Sequence, residues 1–173
     1  MHGSFAEYVI GQEHYVANVP AGLDNISSAA LMYAWVTAYG GMAKAEQTPG
    51  KVAVVIGCGG LGQYGTQIAK LTSATVMGID TKAINLQEAK RFGAIEGFIA
   101  DAETADKVKA LGGADMVLNF APSSKIKSMA TGMVNNFAAI VSVTMVAESV
   151  PLLLEWLTYN GVKITGKSME KCQ

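Results

Sequence analysis

The sequence predicts an α/β fold, a doubly wound parallel sheet of about six strands, and two observations support this. Six short apolar runs alternate with helical segments between residues 51 and 165. Most of these runs are apolar throughout rather than at every second position, which is typical of strands buried on both faces of a parallel sheet. Right-handed crossovers permit the strand order 3-2-1-4-5-6, which places a ligand site beyond the carboxyl ends of strands one and four.

The individual elements follow from hydrophobic periodicity and from the residues that interrupt it. The six strands are predicted at 52–56, 74–79, 97–100, 115–120, 137–143 and 162–165. The helices between and after them are predicted at 61–71, 82–92, 102–111, 124–133 and 151–159. A leading helix at 27–44, with Asp24 or Asn25 as its cap, precedes the first strand. Two further short runs, at 5–10 and 14–19, predict a short N-terminal β-strand appendage.

Composition and charge argue against a nucleic-acid-binding, membrane-spanning or secreted protein. The 173 residues carry a formal net charge of −1, which gives no attraction to nucleic acid or to an anionic membrane. No apolar run reaches the roughly 18 residues of a membrane span, and the N-terminus lacks the layout of a secretion signal, so a cytoplasmic setting is expected. Only 16% of the residues are charged, against about 25% in an average globular chain. This shortfall suggests a large buried fraction, or a surface that meets another subunit or domain.

A glycine-rich turn follows the first predicted strand and carries the strongest functional signal. Gly57, Gly59 and Gly62 fit the pattern G-x-G-x-x-G, and Gly60 and Leu61 complete the turn. The first glycine allows the tight turn, the second lets a pyrophosphate approach the backbone, and the third lets the helix pack closely on the strand. The helix N-terminus then offers unpaired N–H groups to the phosphates. Because the pattern lies between a buried strand and a helix, it predicts a Rossmann-type dinucleotide site.

Asp80 ends the second predicted strand, 18 residues after Gly62. A carboxylate at this point can accept hydrogen bonds from both ribose hydroxyls of an adenosine and would repel the 2′-phosphate of NADP. The sequence therefore predicts NAD(H) as the cofactor. The alternative is a solvated aspartate at the strand end, or a cap for the helix at 82–92.

Five stretches of the sequence resemble one enzyme family. The stretches are Gly3-Ser4-Phe5-Ala6-Glu7-Tyr8-Val9, Thr37-Ala38-Tyr39, Gly57-Cys58-Gly59-Gly60-Leu61-Gly62, Ile79-Asp80 with 86–94, and Val162-Lys163-Ile164-Thr165-Gly166. Through them the chain resembles the medium-chain dehydrogenase/reductases, specifically the zinc-type alcohol dehydrogenases, over nearly its whole length. This resemblance implies that residues 1–22 are the closing strands of a catalytic, GroES-like domain. It also implies that residues 23–173 are the NAD(P)-binding Rossmann domain with its leading helix.

The resemblance also implies roles for residues outside the glycine turn. Thr37 matches a threonine that lies beside the nicotinamide, and Leu61 matches the aliphatic residue behind its ring. The strand ends Phe120-Ala121 and Ser142-Val143 would flank the cofactor. Two alternatives remain open: Thr37 as a buried hydroxyl bonded to its own helix, and Leu61 as plain core packing.

The resemblance does not extend to the residues that bind zinc in the family. Tyr33 occupies the position of the family's third zinc ligand, a cysteine, and tyrosine is not a competent substitute for a thiolate. His2 and His14 are each isolated, and Cys58 and Cys172 form no ligand spacing. A thiolate at Cys58 could be stabilised by the helix N-terminus, but a small turn residue is the favoured interpretation. We therefore expect no metal and no alcohol oxidation by this chain alone.

These observations favour an NAD(H)-binding domain of an alcohol-dehydrogenase-like oxidoreductase, incomplete as an enzyme by itself. One alternative is a non-catalytic dinucleotide-binding or sensing module. Another is a methyltransferase, since S-adenosylmethionine also uses a glycine-rich turn and an acidic strand end. The partners expected are NAD(H) and either a second copy, paired through the edge of the sixth strand at 162–165, or a missing catalytic domain.

Overall fold

The computed structural model describes residues 5–46, 49–72, 74–123, 125–145 and 153–167. Its centre is a six-stranded, wholly parallel sheet with the order β3-β2-β1-β4-β5-β6. The strands are β1 Val52–Ile56, β2 Thr75–Asp80, β3 Glu96–Ile99, β4 Ala114–Asn119, β5 Val134–Ser142 and β6 Lys163–Gly166. The predicted fold class and strand order are confirmed, and β1 has the predicted bounds.

The helices after β1 alternate with the strands as predicted. They are α3 Gly60–Leu71, α4 Ala83–Arg91, α5 Thr104–Ala110, α6 Lys125–Met133 and α7 Leu154–Asn160. The leading helix consists of three consecutive segments: α1 Asn25–Ala30, a π-helical turn Leu31–Trp35, and α2 Val36–Lys44. Asp24 caps α1, because its side chain accepts hydrogen bonds from the N–H groups of Ile26 and Ser27. No helix in the described ranges is long and apolar enough to cross a bilayer.

Strand β5 begins three residues earlier than predicted and is irregular there. Ala114 pairs with Val134, but Met116 pairs with Ala139, so the register shifts between the two pairs. Phe137, inside the shift, adopts a φ of 62°. The extra residues of β5 form a bulge, which hydrophobic periodicity does not reveal because it depends on the partner strand.

Two apolar clusters cover the two faces of the sheet. Val55, Val76, Leu118 and Val141 face one cluster, which α2 and α3 complete. Their immediate neighbours in the same strands, such as Val54, Met77 and Val117, face the other cluster, which α5 and α6 complete. Burial on both faces explains why these strands are apolar throughout. The two layers hold the carboxyl ends of β1, β2 and β4 side by side.

The predicted N-terminal β-strand appendage is wrong. Over residues 5–24 the structure has no strand, and the one regular element is a short 3-10 helix, Glu13–Tyr15. Every residue in this segment is exposed. A strand needs a partner to satisfy its backbone N–H and C=O groups, and this segment pairs with none in the described part of the chain. The assignment of residues 1–22 to a separate domain stays a prediction.

Candidate functional site

The glycine turn joins β1 to α3 at the carboxyl edge of the sheet. Gly57 has a φ of +84°, a conformation that favours glycine. A Cβ on Gly57 would lie 2.9 Å from the backbone nitrogen of Ala121, at the end of β4. The Gly57 N–H donates to the Ile79 carbonyl at 2.8 Å, so the turn is fixed between β2 and β4.

The helix that follows the turn is packed tightly on one side and open on the other. A Cβ on Gly62 would overlap the carbonyl oxygen of Gly57, so α3 can approach β1 this closely only with glycine there. At Gly59 and Gly60, by contrast, a Cβ would meet nothing within 4 Å. Gly59 is the N-cap of α3, and no side chain caps the helix. The N-terminal N–H groups of a twelve-residue helix therefore face open space, as an anion site requires.

A cavity of about 310 Å³ opens in front of this helix terminus. It brings together eight of the predicted site residues: Gly57, Gly59, Gly60, Leu61, Gly62, Asp80, Phe120 and Ala121. Its wall also includes residues that the sequence analysis did not select: Ile56, Ile79, Thr81, Asn85, Ala100, Pro122 and Ile126. Asp80 is the one charged residue in this set of described lining residues. A dinucleotide in the cavity would therefore meet backbone N–H groups, apolar walls and one carboxylate.

A second, larger cavity of about 770 Å³ adjoins the first. The two share Thr81, Ala100, Ala121, Pro122 and Ile126. The second cavity extends between the loop after β3 and helix α6, where Asp101 and Met129 contribute to its wall. Its mainly apolar lining suits a flat heterocycle rather than a charged group.

Asp80 lies at the end of β2, and its carboxylate accepts three hydrogen bonds that the sequence does not predict. Its Oδ2 accepts hydrogen bonds from the N–H of Cys58 at 2.7 Å and from the amide of Asn85 at 3.1 Å. Its Oδ1 accepts one from the N–H of Lys82 at 2.9 Å. Asp80 therefore supports both the glycine turn and the entry to α4, while its side chain still lines the cavity.

A polar network ties the ends of β4 and β5 together, and sequence reasoning missed its central residue. Asn119 is buried; its Oδ1 accepts from the Ala121 N–H at 3.0 Å, and its amide donates to the Ser142 hydroxyl at 3.4 Å. The Thr144 hydroxyl donates to the Ala121 carbonyl at 3.2 Å. A polar residue at the end of the apolar run of β4 was the signal available in the sequence. This network fixes the backbone beside the first cavity.

Three predicted site residues do not line either cavity. The Thr37 hydroxyl is buried and donates to the Tyr33 carbonyl one turn earlier at 2.6 Å, which is the back-bonded alternative. Ser142 takes part in the Asn119 network. Val143 packs against the cluster over α2 and α3, as does Leu61, which is also in the wall of the cavity.

Cys58 has the chemistry of a buried neutral thiol. Its side chain is fully buried and free of any disulfide. The pKa of the thiol is raised from 9.0 to about 12. Burial is the larger cause, and the negative charge of Asp80 is the second. The alternative of a thiolate stabilised by the helix terminus is therefore wrong, and Cys58 is a small residue of the turn.

Metal-binding residues do not cluster in the part of the chain that the structure describes. No group of three or more histidine, cysteine, aspartate or glutamate side chains there could hold an ion. Tyr33 and His14 are both exposed, and His2 and Cys172 lie outside the described residues. The expectation that the chain binds no zinc stays a prediction.

Comparison with known proteins gives the family. Residues 60–171 match the family described as zinc-binding dehydrogenase, which covers more than half of the chain. An alcohol dehydrogenase from Moraxella sp. strain TAE123 is 31% identical over 170 residues, 96% of this chain and 50% of that protein. NADP-dependent alcohol dehydrogenase C 1 from Mycolicibacterium smegmatis is 28% identical over 171 residues, 95% of this chain and 48% of that protein. The chain thus spans about half the length of the curated relatives it matches.

Solved structures show the same fold. Benzyl alcohol dehydrogenase from Acinetobacter calcoaceticus superposes with a TM-score of 0.84 at 20% sequence identity, over 91% of this chain and 45% of that one. The family match and the fold together bear out the resemblance inferred from the glycine turn and its neighbouring landmarks. The chain therefore has a Rossmann fold and belongs to the zinc-binding dehydrogenase family.

Proposed function

We propose that this chain is the NAD(H)-binding domain of an oxidoreductase that transfers hydride between nicotinamide and an alcohol or carbonyl compound. The observation that carries the proposal is the uncapped N-terminus of α3, open at Gly59 and Gly60, beside the carboxylate of Asp80. Side chains at these glycines would fill the space in front of the helix terminus, and this space suits a pyrophosphate. The residues present therefore fit a dinucleotide.

Each part of the cofactor has residues suited to it. The backbone from Gly57 to Gly62 would hold the pyrophosphate, and Asp80 would accept a hydrogen bond from the adenosine ribose. The adenine would enter the adjoining apolar cavity at Thr81 and Pro122. The nicotinamide would extend the other way, towards Thr37, Leu61, Phe120-Ala121 and Ser142-Val143. The cofactor itself accepts or gives the hydride, and the role of this chain is to bind and orient it.

We propose NAD(H) rather than NADP(H) as the preferred form. Two relatives are named as NADP-dependent and another as NAD-dependent, so membership of the family does not decide the question. In this chain the described residues lining the two cavities include the carboxylates of Asp80 and Asp101 and no lysine or arginine. A 2′-phosphate would meet negative charge, and none of these described lining residues is a cation that could balance it.

The proposal is tested by titrating the purified chain with NADH, NADPH and S-adenosylmethionine in parallel, using calorimetry or intrinsic fluorescence. We expect NADH to bind more tightly than NADPH and S-adenosylmethionine not to bind. Failure to bind either dinucleotide at millimolar concentration would overturn the proposal, and binding of S-adenosylmethionine alone would favour a methyltransferase. Turnover with primary and secondary alcohols then distinguishes a self-sufficient enzyme from a binding or sensing module. We expect none from this chain, and steady NADH production that scales with protein concentration would contradict that.

We also propose that the chain self-associates through β6. This strand lies at the edge of the sheet and pairs only with β5 among the described strands, so its outer backbone groups have no sheet partner. Pairing with the β6 of a second copy would continue the sheet across a twofold axis. Light scattering at high micromolar concentration should give the mass of a dimer. A clean monomer at that concentration would contradict the proposal.

A cytoplasmic location is the last part of the proposal. Cys58, the free cysteine in the described part of the chain, is a buried thiol in a site without a disulfide, which agrees with a reducing compartment. Fractionation of the source cells should find the protein with cytoplasmic markers, and recovery in a secreted fraction would refute this.

A further inference from the structure

We infer that Asn119 and Thr144 are positioning residues, which hold the ends of β4 and β5 in place beside the nicotinamide half of the cofactor. This inference rests on the proposed function and assigns a role to two residues that line neither of the two cavities. Asn119 is the last residue of β4 and is buried, and Thr144 lies two residues beyond the end of β5.

The two residues belong to a closed ring of four hydrogen bonds. The Asn119 amide donates to the Ser142 hydroxyl at 3.4 Å, and that hydroxyl donates to the Thr144 carbonyl at 3.4 Å. The Thr144 hydroxyl donates to the Ala121 carbonyl at 3.2 Å, and the Ala121 N–H donates to Asn119 Oδ1 at 3.0 Å. Each of the four residues is therefore both a donor and an acceptor. Because hydrogen bonds in such a network polarise one another, the loss of any one should weaken the others.

The ring holds the chain at the point where it leaves the sheet. The pairing of β4 with β5 ends at Asn119 and Ser142. Thr144 lies beyond this pair, and its hydroxyl joins the outgoing chain to Ala121, which follows β4. The ring therefore sets the position of the chain after β5 relative to Ala121.

Ala121 is the residue through which the ring meets the cofactor site. It lies in the wall of both cavities, and its backbone nitrogen would be 2.9 Å from a Cβ on Gly57. The nicotinamide would extend towards Ser142 and Val143, and a binding site orients its ligand only when the residues behind it hold it to within about 0.5 Å. The adenosine half would be bound by Asp80, whose three hydrogen bonds involve no residue of the ring. Loss of the ring should therefore weaken the binding of the nicotinamide half and spare the adenosine half.

The test measures the affinities of NAD+, and of ADP, which lacks the nicotinamide half, for the parent chain and its variants. Asn119→Leu has a similar shape without the amide, and Thr144→Val has a similar shape without the hydroxyl. Thr144→Ser keeps a hydroxyl and is the conservative replacement. Thr158→Val is the matched control, because the Thr158 hydroxyl is exposed on α7, donates to the Leu154 carbonyl at 2.9 Å and lines neither cavity.

The variants of the ring should lose affinity for one ligand only. We expect Asn119→Leu and Thr144→Val to bind NAD+ about fivefold more weakly than the parent, the effect of one neutral hydrogen bond, and to bind ADP as the parent does. Thr144→Ser should recover most of this loss, and Thr158→Val should bind both ligands as the parent does. The double variant Asn119→Leu with Thr144→Val should bind NAD+ little more weakly than either single variant, because each change alone already opens the ring.

The outcomes separate this inference from the proposed function. NAD+ affinity that is unchanged in both ring variants would overturn the inference, and so would losses that multiply in the double variant, which would mean independent contacts. Equal weakening of NAD+ and ADP would assign the ring a purely structural role and contradict the inference as well. Failure of the parent to bind NAD+ would overturn the proposed function, and this inference with it. Circular dichroism and thermal unfolding check the fold of each variant, and Thr144→Val, at a half-buried position, decides the test if Asn119→Leu does not fold.

Discussion

The carboxylate of Asp80 accepts a hydrogen bond of 2.7 Å from the backbone N–H of Cys58, 22 residues earlier in the chain. This bond joins the end of β2 to the middle of the glycine turn. Asp80 therefore positions the turn as well as lining the cavity. A change at Asp80 should therefore alter both the recognition of ribose and the geometry of the turn.

Replacement of Asp80 by serine should reduce the preference for NADH over NADPH. The variant loses a charge-assisted hydrogen bond to the ribose, which is worth about 1.5–3 kcal/mol, so NADH should bind roughly tenfold to a hundredfold more weakly. NADPH should lose less, because a repulsive charge is removed at the same time. Calorimetric titration of both cofactors measures the gap. Asp106→Ser, at an exposed position on α5, removes the same charge away from the cavity and should leave both affinities unchanged. An Asp80→Ser variant with its preference intact would remove Asp80 from the site.

A substitution at Gly59 should prevent dinucleotide binding without loss of stability, whereas a substitution at Gly62 should lower the stability of the fold. A side chain at Gly59 meets no protein atom within 4 Å, so Gly59→Val should fold normally but bind neither dinucleotide, because it fills the space of the shared pyrophosphate. A Cβ at Gly62 overlaps the Gly57 carbonyl, so Gly62→Ala should lower the free energy of unfolding by about 3 kcal/mol. Urea denaturation and NADH titration of both variants make the comparison. Unimpaired NADH binding by Gly59→Val would be inconsistent with the pyrophosphate position.

Replacement of Thr66 by valine should stabilise the protein. The Thr66 hydroxyl is buried in α3 and has no hydrogen-bonding partner in the described structure. Removing an unsatisfied buried hydroxyl should raise the free energy of unfolding by about 1 kcal/mol, and Tm by roughly 2–4 °C. Thr104→Val is the matched control, because that equally buried hydroxyl donates to the Ile99 carbonyl at 3.0 Å and accepts from the Asp101 N–H. The control should be destabilised, and a loss of stability in Thr66→Val would show that its hydroxyl has a partner.

The stability of the protein should fall at alkaline pH in part because of Cys58. The folded state raises the pKa of this thiol from 9.0 to about 12, so between these values the unfolded thiol loses its proton while the folded thiol keeps it. The stabilisation is therefore complete below pH 9 and is lost as the pH rises towards 12, by about 1.4 kcal/mol per pH unit. Urea denaturation of the parent and of Cys58→Ala between pH 8 and pH 10.5 gives the difference in slope. Parallel slopes for the two proteins would contradict the assignment.

Local sequence was sufficient for the elements whose signal is local. Val52–Ile56 was predicted with its observed bounds because an apolar β-branched run between turns is distinctive. The same periodicity predicted strands within residues 5–19, where the structure has none. Exposed residues there, such as Phe5 and Ile10, alternate with polar ones but have no neighbouring strand. It also missed the early start of β5, since the bulge at Phe137 depends on how β5 meets β4.

The sequence by itself determined the sheet order, the glycine turn and Asp80, because strand spacing, glycine positions and the end of an apolar run are properties of neighbouring residues. Only the tertiary structure decided how these groups are used. The bonds from Cys58 and Asn85 to Asp80, and from Asn119 to Ala121 and Ser142, include contacts between residues on different strands and helices. Such contacts depend on packing across the sheet, and hydrophobic periodicity in the sequence does not reveal them. For that reason the sequence placed Asp80 at the end of a strand as a candidate ribose ligand, but it did not predict the hydrogen bonds that Asp80 accepts from Cys58, Lys82 and Asn85.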